Sequence, residues 1–396
     1  MFGYFLNLPE ETQLNCSKIN NQNLESTIFG GEDIIKLTEN IGLISSSDRV
    51  KYQQYQQQQQ KQKQDKQFSK NFQGEFQNGK LSFINLESGF IQEAKIFDFP
   101  GGKKFQPHGV YYESKSRELF VINHAEDGKG DYIEEFWVQI SGKNMKDIKI
   151  TYKYSYLVDA ELTGVFNDVI KISHSQILVT GTAGRQVMAV DGNLEFAENQ
   201  QTGIMLDAFL NRKKSVVYSC YIDQDCLKQN KQAVCEPLPN TNSNFNNGIS
   251  WDLKNKVLVA NSLDRTVTSY QLNLKDKNKA LLEKKEVIQV TGIPDNINYD
   301  EKKQMFYVAG SIKQVDFLKF NSANIENKIS WQNTEDKTEW TFVDQIKPLA
   351  KNFKFQVKNL FMQESPLTGV SVTLLHGENL YLGSWYDKGI AQCKIE

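Results

Sequence analysis

The stretch "IPDNINYDEKKQMFYVAG", Ile293 to Gly310, decides the fold because its pattern returns along the chain. It opens with an adjacent acid and amide, Asp295 and Asn296, and then alternates apolar and polar residues. A charged turn leads into a second apolar strand. A period of two, a turn and a further apolar run are typical of an antiparallel β-hairpin. The polar pair at the hairpin's entrance requires a separate explanation.

Five other segments share this pattern: "EDIIKLTENIGLISS" from Glu32, "HGVYYESKSRELFVIN" from His108, "NDVIKISHSQILVTGT" from Asn167, "NGISWDLKNKVLVANS" from Asn247 and "TGVSVTLLHGENLYLGS" from Thr368. In the first five copies along the chain, the second residue lies ten positions before the core of the next strand, as Asp33 does before Leu43. Six such units predict an all-β fold, a six-bladed β-propeller over residues 16–396, preceded by an N-terminal extension of residues 1–15. The alternative is six unrelated hairpins in a β-sandwich.

Composition excludes several classes of protein. The 396 residues carry a net charge of −2 and no continuous basic stripe, so we expect no nucleic-acid partner. No apolar run of about 18 residues is present, so we expect no transmembrane segment. The first residues, interrupted by Pro9 and two glutamates, lack the apolar core of a signal peptide.

Residues 51–67, "KYQQYQQQQQKQKQDKQ", break the repeat. Two tyrosines are their only apolar residues, so the segment cannot bury a core. We expect a disordered, glutamine-rich insertion between strands of the first blade.

The polar entrances of the six hairpins meet on one ring around the axis of a propeller. The ring positions are Glu32, His108, Asn167, Asn247, Asp295 with Asn296, and Thr368. Carboxylate and amide oxygens are ligands of hard cations such as Ca²⁺, and two carboxylates balance the charge of a dication. The sequence lacks the Cys or multi-His cluster that zinc favours. Asp33 and Asp168, each second in its unit, are candidate ligands of another cation. The alternative interpretation is that Asn and Asp only end strands and form turns.

Two of the four histidines lie in one blade, His108 at the ring and His124 in "FVINHAEDG". A pair of imidazoles there could pass on a proton from an attacking water, a contribution of roughly 10²–10⁴-fold in rate. The alternative is that both histidines are structural.

Seven motifs together resemble the paraoxonase/arylesterase family: "GGEDI", "FQPHGV", "VINH", "FNDV", "FNNGIS", "PDNI" and "LYLGSWYDKGIAQC". The resemblance runs from Cys16 to Cys393. It implies a calcium-dependent six-bladed propeller that hydrolyses lactones and aryl esters, with two Ca²⁺ ions.

Carried over by motif, the resemblance assigns roles to individual residues. The catalytic calcium ligands are Glu32, Asn167, Asn247, Asp295 and Asn296, and the structural calcium is held by Asp33, Asp168 and the backbone carbonyl of Val110. His108 and His124 form the family's histidine dyad, Cys16 and Cys393 form its disulfide, and Phe245 and Thr368 line the substrate pocket.

The chain also departs from the family pattern. "AGRQ" follows Thr182 where the family carries an Asn-Asp pair, so we expect the acid that assists the dyad to be missing. The family's free cysteine is replaced by Gly310, and from the first residues we expect no apolar N-terminal anchor. Of the five cysteines, three lie outside the pattern, and we expect Cys226 to pair with Cys235. This cysteine usage predicts the secretory pathway or the extracellular space.

The leading hypothesis is therefore a calcium-dependent lactonase and arylesterase whose partner is a small-molecule substrate. One alternative is a non-catalytic, calcium-stabilised propeller that binds a partner, which the altered segment after Thr182 favours. Another is a gluconolactonase-like hydrolase, which would share the architecture without the histidine and cysteine motifs. The oligomeric state stays open.

Overall fold

The computed structural model describes residues 14–19, 28–49, 51, 78–125, 130–158, 166–182, 188–190, 193–195, 210–222, 233–276, 279–312, 339–349 and 353–395. Within these ranges lie strands β1 to β27 and one short 3-10 helix, Met145–Asp147. Six sheets are arranged as the blades of a β-propeller, which confirms the predicted fold class.

Each blade is an antiparallel sheet whose first strand lies innermost. Blade 1 contains β2 (Gly31–Lys36), β3 (Ile41–Ser46), β4 (Lys80–Asn85) and β5 (Ile91–Glu93). Blade 2 contains β7 (Pro107–Glu113), β8 (Glu118–Asn123), β9 (Tyr132–Ile140) and β10 (Ile148–Leu157), with β6 (Ile96–Phe97) added parallel to β10. Blade 3 contains β11 (Phe166–Lys171), β12 (Gln176–Gly181), β15 (Val216–Tyr221) and β16 (Val234–Pro237).

The second half of the ring repeats this plan. Blade 4 contains β17 (Asn246–Trp251), β18 (Lys256–Asn261), β19 (Thr266–Asp276) and β20 (Lys279–Gln289). Blade 5 contains β21 (Ile293–Asp300), β22 (Met305–Ser311), β23 (Glu339–Leu349) and β24 (Lys354–Ser365). Blade 6 contains β25 (Val370–His376), β26 (Asn379–Ser384), β27 (Ala391–Lys394) and β1 (Asn15–Lys18). A separate hairpin is formed by β13 (Met188–Val190) and β14 (Asn193–Glu195).

The six inner strands contact one another in cyclic order, β2 to β7, β11, β17, β21, β25 and back to β2. Each of them belongs to one of the repeated sequence units. The repeat in the sequence and the ring in the structure are therefore the same feature.

The ring is closed by the N-terminal strand, which joins the last blade. β1 pairs with β27 in a register that sets Cys16 opposite Cys393, and the two form a disulfide. The Lys18 Nζ lies 3.4 Å from an Asp387 carboxylate oxygen and adds an ion pair to this closure. The predicted terminal disulfide is confirmed.

The core is divided among the spaces between neighbouring blades. Fully buried aromatic side chains fill them, including Phe136 between blades 1 and 2, Phe166 between blades 2 and 3, and Phe342 between blades 4 and 5. Burial of one such side chain stabilises the fold by about 2–3 kcal/mol. The apolar positions of the alternating strands supply these contacts, while the bulged entrances face the axis.

The second disulfide differs from the expected one. Cys220 on β15 lies opposite Cys235 on β16, and these two residues are bonded. The expected Cys226–Cys235 pairing is therefore wrong, because the register of two adjacent strands, rather than the span of their loop, brings the sulfurs together. Cys226 lies outside the described residues.

Two segments singled out in the sequence also lie outside the described residues. These are the glutamine-rich insertion, apart from Lys51, and the "AGRQ" segment after Thr182. The insertion falls between β3 and β4 of blade 1, as expected from the sequence. Within the described part of the chain, no helix has the length and apolar character needed to cross a bilayer.

Candidate active site

The inner hairpin of every blade contains a β-bulge at its entrance. The register shifts fall between Gly31/Asp33, Pro107/Val110, Phe166/Val169, Asn246/Ile249, Pro294/Ile297 and Val370/Val372. A bulge places one extra residue on one strand and redirects its side chain. The predicted ring residues of the first five blades lie in these bulges, which explains their place in the sequence: Glu32, His108, Asn167, Asn247 and Asp295 with Asn296.

The sixth blade differs from the prediction. Its bulge residue is Ser371, whose Oγ donates to the backbone carbonyl of Glu32 at 2.8 Å. Thr368 lies before the strand, and its side chain donates to Asp387. Thr368 lies three residues before Ser371 and therefore outside the equivalent position.

Two glycines allow the neighbouring inner strands to approach this closely. A Cβ on Gly109 would lie 2.5 Å from the Asn167 carbonyl oxygen, and one on Gly248 would lie 2.5 Å from the Asn296 Cα. These glycines follow His108 and Asn247 directly, so the "HG" and "NG" pairs combine a polar ring residue with a close contact between blades.

The three ring amides are oriented by hydrogen bonds from their nitrogens. The Asn167 Nδ2 donates to the His108 Nε2 at 3.1 Å, and the Asn247 Nδ2 donates to the Ser262 Oγ at 3.1 Å. The Asn296 Nδ2 donates to the Glu32 carbonyl at 3.0 Å. Because each amide nitrogen is held in this way, the oxygen of the same amide points away from that hydrogen-bond partner.

Five buried side-chain oxygens of this ring have no hydrogen-bond partner among the described residues: Glu32 Oε2, Asn167 Oδ1, Asn247 Oδ1, Asp295 Oδ1 and Asn296 Oδ1. Leaving one buried polar atom unsatisfied costs about 1–3 kcal/mol. Five together, from two carboxylates and three amides, match the oxygen ligands that a hard cation such as Ca²⁺ accepts. No group of three or more His, Cys, Asp and Glu side chains suited to a metal occurs in the described ranges, so the donor set depends on its amides.

Arg49 lies beside these carboxylates and was missed by the sequence analysis. Its Nη1 is 3.7 Å from the Glu32 Oε2 and donates to the Trp385 carbonyl at 3.1 Å. Its Nη2 donates to the Pro107 carbonyl at 3.1 Å. One side chain thus joins blades 6, 1 and 2 at the ring. An isolated arginine just after an inner hairpin was the only signal in the sequence.

Burial and charge set the protonation of the ring. Burial would raise the pKa of Glu32, but hydrogen bonding and charge interaction with His108, and the charge of Arg49, lower it. Burial and repulsion by Glu32 hold the pKa of Asp295 well above its usual range. Burial and the neighbouring Arg49 lower the pKa of His108 to about 4, so its ring is neutral at neutral pH.

A second layer of carboxylates lies behind the ring. The Val110 N–H donates to the Asp33 Oδ2 at 3.0 Å, and the Ile249 N–H donates to the Asp168 Oδ2 at 2.8 Å. Burial raises the pKa of Asp33 to about 7, and burial together with repulsion by Asp33 raises that of Asp168 well above its usual range. Each carboxylate therefore links its blade to the next. Their predicted role in a second cation site, with the Val110 carbonyl, stays a prediction.

The two predicted histidines are in direct contact. The His124 Nε2 lies 3.1 Å from the His108 Nδ1, and the ring planes are inclined by 82°. The His124 Nδ1 lies 2.8 Å from the Asp131 Oδ1. The expectation that the dyad lacks an acidic partner is therefore wrong: a carboxylate reaches it from the residue just before β9.

The predicted pocket residues are near the ring, but their role stays a prediction. Phe245 is half-buried and directly precedes Asn246 at the start of β17. Its carbonyl accepts a hydrogen bond from the Ser262 N–H at 2.9 Å, in the loop that also orients Asn247. Thr368 is buried against Asp387.

Comparison with known proteins shows similarity in overall structure. No protein-family model and no curated protein matches the chain. A luciferin-regenerating enzyme is similar with 12% sequence identity and a TM-score of 0.48, over 96% of this chain and 95% of the other. A gluconolactonase from Xanthomonas campestris is similar with 9% identity and a TM-score of 0.47, over 98% of this chain and 91% of the other. At such identities, the chemistry of this chain has to be argued from its own residues.

Proposed function

We propose that this protein is a calcium-dependent hydrolase of lactones and aryl esters. The observation that supports the proposal most strongly is the set of five buried oxygens without a hydrogen-bond partner beside the His108–His124 pair. The quoted motifs of the paraoxonase/arylesterase type support lactones and aryl esters as the substrate class.

Glu32, Asn167, Asn247, Asp295 and Asn296 would hold the catalytic cation, and Asp33 and Asp168 a second one. A hard cation supplies Lewis-acid polarisation of a carbonyl oxygen and stabilises the negative charge that develops on it. The hydrogen bonds on the amide nitrogens fix the orientation of the donor oxygens before any cation binds, so little reorganisation accompanies binding.

His108 is the general base in this proposal. Its Nε2 accepts a hydrogen bond from Asn167 in the resting state and faces the ring, where it can take a proton from water. The water oxygen then bonds to the carbonyl carbon. The ester C–O bond breaks, and the leaving alkoxide takes up the proton that the imidazole pair received. The low pKa of His108, caused by burial and Arg49, keeps the base available at neutral pH.

The contact of His108 and His124 lets the pair share the proton. When the His108 Nε2 is protonated, its Nδ1 can pass a proton to the His124 Nε2 across 3.1 Å. The Asp131 carboxylate then lies beside the resulting charge. The alternative of a non-catalytic propeller was favoured by a missing acid, and the position of Asp131 removes that reason.

We also place the protein in an oxidising compartment, because two disulfides join described residues.

The test is hydrolysis of a lactone panel and phenyl acetate by the purified protein, with calcium and after chelation by EGTA. We expect activity that disappears on chelation and returns with calcium. Calcium that raises the melting temperature without any hydrolysis would instead establish the binding-module alternative.

His108→Gln separates the base from the metal site. We expect it to lower turnover by about 10²–10⁴-fold while calcium still raises the melting temperature. His174→Gln is the matched control, because His174 is exposed on a turn of blade 3. Unchanged turnover in His108→Gln would remove His108 from the mechanism.

A further inference from the structure

We infer that Asp131 is a positioning residue that fixes the tautomer of His124 and ties the imidazole pair to the strand carrying Asn167. The kinetic consequence of this inference rests on the proposed function, but its structural content does not.

Asp131 is held at three points. Its backbone carbonyl accepts from the Val158 N–H at 3.0 Å. Its Oδ2 accepts from the Phe166 N–H at 2.7 Å, and its Oδ1 lies 2.8 Å from the His124 Nδ1. The side chain is 12% exposed. Each carboxylate oxygen therefore faces one fixed nitrogen, and both of these contacts require an acceptor on the Asp131 side.

This geometry sets the direction of the hydrogen bonds that run from Asp131 through His124 to His108. Because the Asp131 carboxylate only accepts, the His124 Nδ1 carries the hydrogen. In the neutral ring the Nε2 of His124 is then an acceptor, so the facing Nδ1 of His108 is the donor across 3.1 Å. The Arg49 Nη2, which can only donate, lies farther from this Nδ1, at 3.4 Å.

The His108 Nε2 is left without a hydrogen, which agrees with the hydrogen bond that it accepts from the Asn167 Nδ2 at 3.1 Å. The Glu32 Oε1 lies farther from this Nε2, at 3.4 Å, and would accept from it only in the protonated ring. One carboxylate thus favours the His108 tautomer in which the atom facing the ring is a base.

The second oxygen links the pair to the candidate cation site. Phe166 directly precedes Asn167 on β11, and its N–H is bound by Asp131. The carboxylate therefore holds both the imidazole that relays the proton and the start of the strand that presents an amide ligand. A shift of Asp131 would change the distance between base and ligand.

Sequence reasoning could not find this residue. Asp131 follows His124 in "HAEDGKGD", where three acids compete, and Glu126 and Asp127 lie outside the described residues. In the family pattern, the acid that assists the dyad lies in the segment after Thr182, on another blade. Only the tertiary structure brings Asp131, just before β9, to both the imidazole and the start of β11.

Asp131→Asn has a specific expected effect. The amide keeps one acceptor oxygen for two donors, so either the Phe166 N–H or the His124 Nδ1–H would face an NH₂ group. His124 can relieve this conflict by moving its hydrogen to Nε2, which then opposes the Nδ1–H of His108. The variant should therefore exchange the tautomer of His124.

The experiment is long-range ¹H–¹⁵N NMR of the imidazoles in the full-length protein, without and with calcium. With four histidines in the chain, the spectrum can be assigned from single His→Gln variants. We expect His124 as the Nδ1–H tautomer in the unsubstituted protein and as the Nε2–H tautomer in Asp131→Asn. His124 found as Nε2–H in the unsubstituted protein would overturn the inference, whether or not the variant folds.

Asp344→Asn is the matched control. Asp344 is also buried on a strand, and its two oxygens accept from the Thr291 N–H and the Thr291 hydroxyl, both at 2.7 Å, in blade 5. Asp344→Asn should lose about as much stability as Asp131→Asn and leave the His124 tautomer unchanged. Retention of the Nδ1–H form in Asp131→Asn would refute the inference.

Kinetics distinguishes this inference from the proposed function. In a protein that hydrolyses lactones, Asp131→Asn should lower kcat by about 10²–10⁴-fold at unchanged KM, and Asp131→Glu should recover part of it. At assay temperatures below its melting temperature, Asp344→Asn should keep the kcat of the unsubstituted protein. Equal kcat in Asp131→Asn and Asp344→Asn would overturn the positioning role. If the unsubstituted protein has no activity, the proposed function fails, while the tautomer still decides the inference.

Discussion

Gly248 provides the sharpest test of how the ring is assembled. A Cβ at this position would lie 2.5 Å from the Asn296 Cα and 2.8 Å from both the Asp295 carbonyl oxygen and the Ile297 nitrogen. All three obstacles are backbone atoms of the inner strand of blade 5, so no side-chain rotation can relieve the overlap.

The magnitude follows from these distances. Ordinary van der Waals contact begins at 3.4 Å, so Gly248→Ala must move β21 away from β17 by roughly 0.9 Å. Overpacking of this kind costs about 1–3 kcal/mol, and a backbone obstacle belongs at the upper end, about 3 kcal/mol. For a chain of 396 residues this lowers the melting temperature by about 4 °C.

The same displacement moves two candidate ligands, Asp295 and Asn296. We therefore expect calcium affinity to fall by at least about tenfold, as it does when the support of metal ligands is disturbed. Calorimetry would give the melting temperature without and with calcium, and titration calorimetry would give the affinity.

Gly101→Ala is the control, because a Cβ there meets no atom within 4 Å and the residue does not have a left-handed backbone. We expect it to change stability by less than about 0.5 kcal/mol. If Gly248→Ala matched Gly101→Ala in melting temperature and in calcium affinity, the close packing of the inner strands around the ligands would be refuted.

Three further predictions address the support, the charge and the closure of the ring. Ser262→Ala removes the acceptor of the Asn247 Nδ2 and should weaken calcium binding by about 10–100-fold in a calorimetric titration. The control Ser82→Ala removes a buried hydroxyl without a hydrogen-bond partner and should leave affinity unchanged; equal effects would contradict the orienting role. Since burial raises the pKa of Asp33 to about 7 and those of Asp168 and Asp295 well above the usual range, the cation-free fold binds more protons than the unfolded chain. As pH increases from about 4 to 7, the stability of the cation-free protein should therefore fall and its calcium affinity should rise. A calcium affinity independent of pH would contradict the assignment of these carboxylates as ligands. Cys16→Ser with Cys393→Ser opens a disulfide with a separation of 377 residues and should cost about 6 kcal/mol in denaturant unfolding. Cys220→Ser with Cys235→Ser, at a separation of 15, should cost about 3 kcal/mol, and a larger loss for this second pair would contradict the closure argument.

Most of the fold could be predicted because it is encoded locally and repeatedly. Alternation with a period of two and a turn specify a hairpin within about twenty residues of chain, and six copies specify the ring. The same reasoning located Glu32, His108, Asn167 and Asn247, since a bulge at a constant position carries them. It failed at blade 6, where Thr368 was chosen in place of Ser371, three residues further on, because the turn of this hairpin is shorter than in the other blades and alters the spacing.

The sequence by itself therefore determined the six-bladed architecture, the oxygen-rich ring and the histidine pair, and its family resemblance indicated the terminal disulfide. Only the tertiary structure decided that Arg49 lies beside Glu32, that Asp131 reaches His124 and that Cys220 pairs with Cys235. The physical reason is that these contacts depend on which strands lie side by side and on how blades pack across the ring. A periodic pattern records which residues face inward, but the partner of a single charged or sulfur-bearing side chain is set by distances between elements that no local pattern contains.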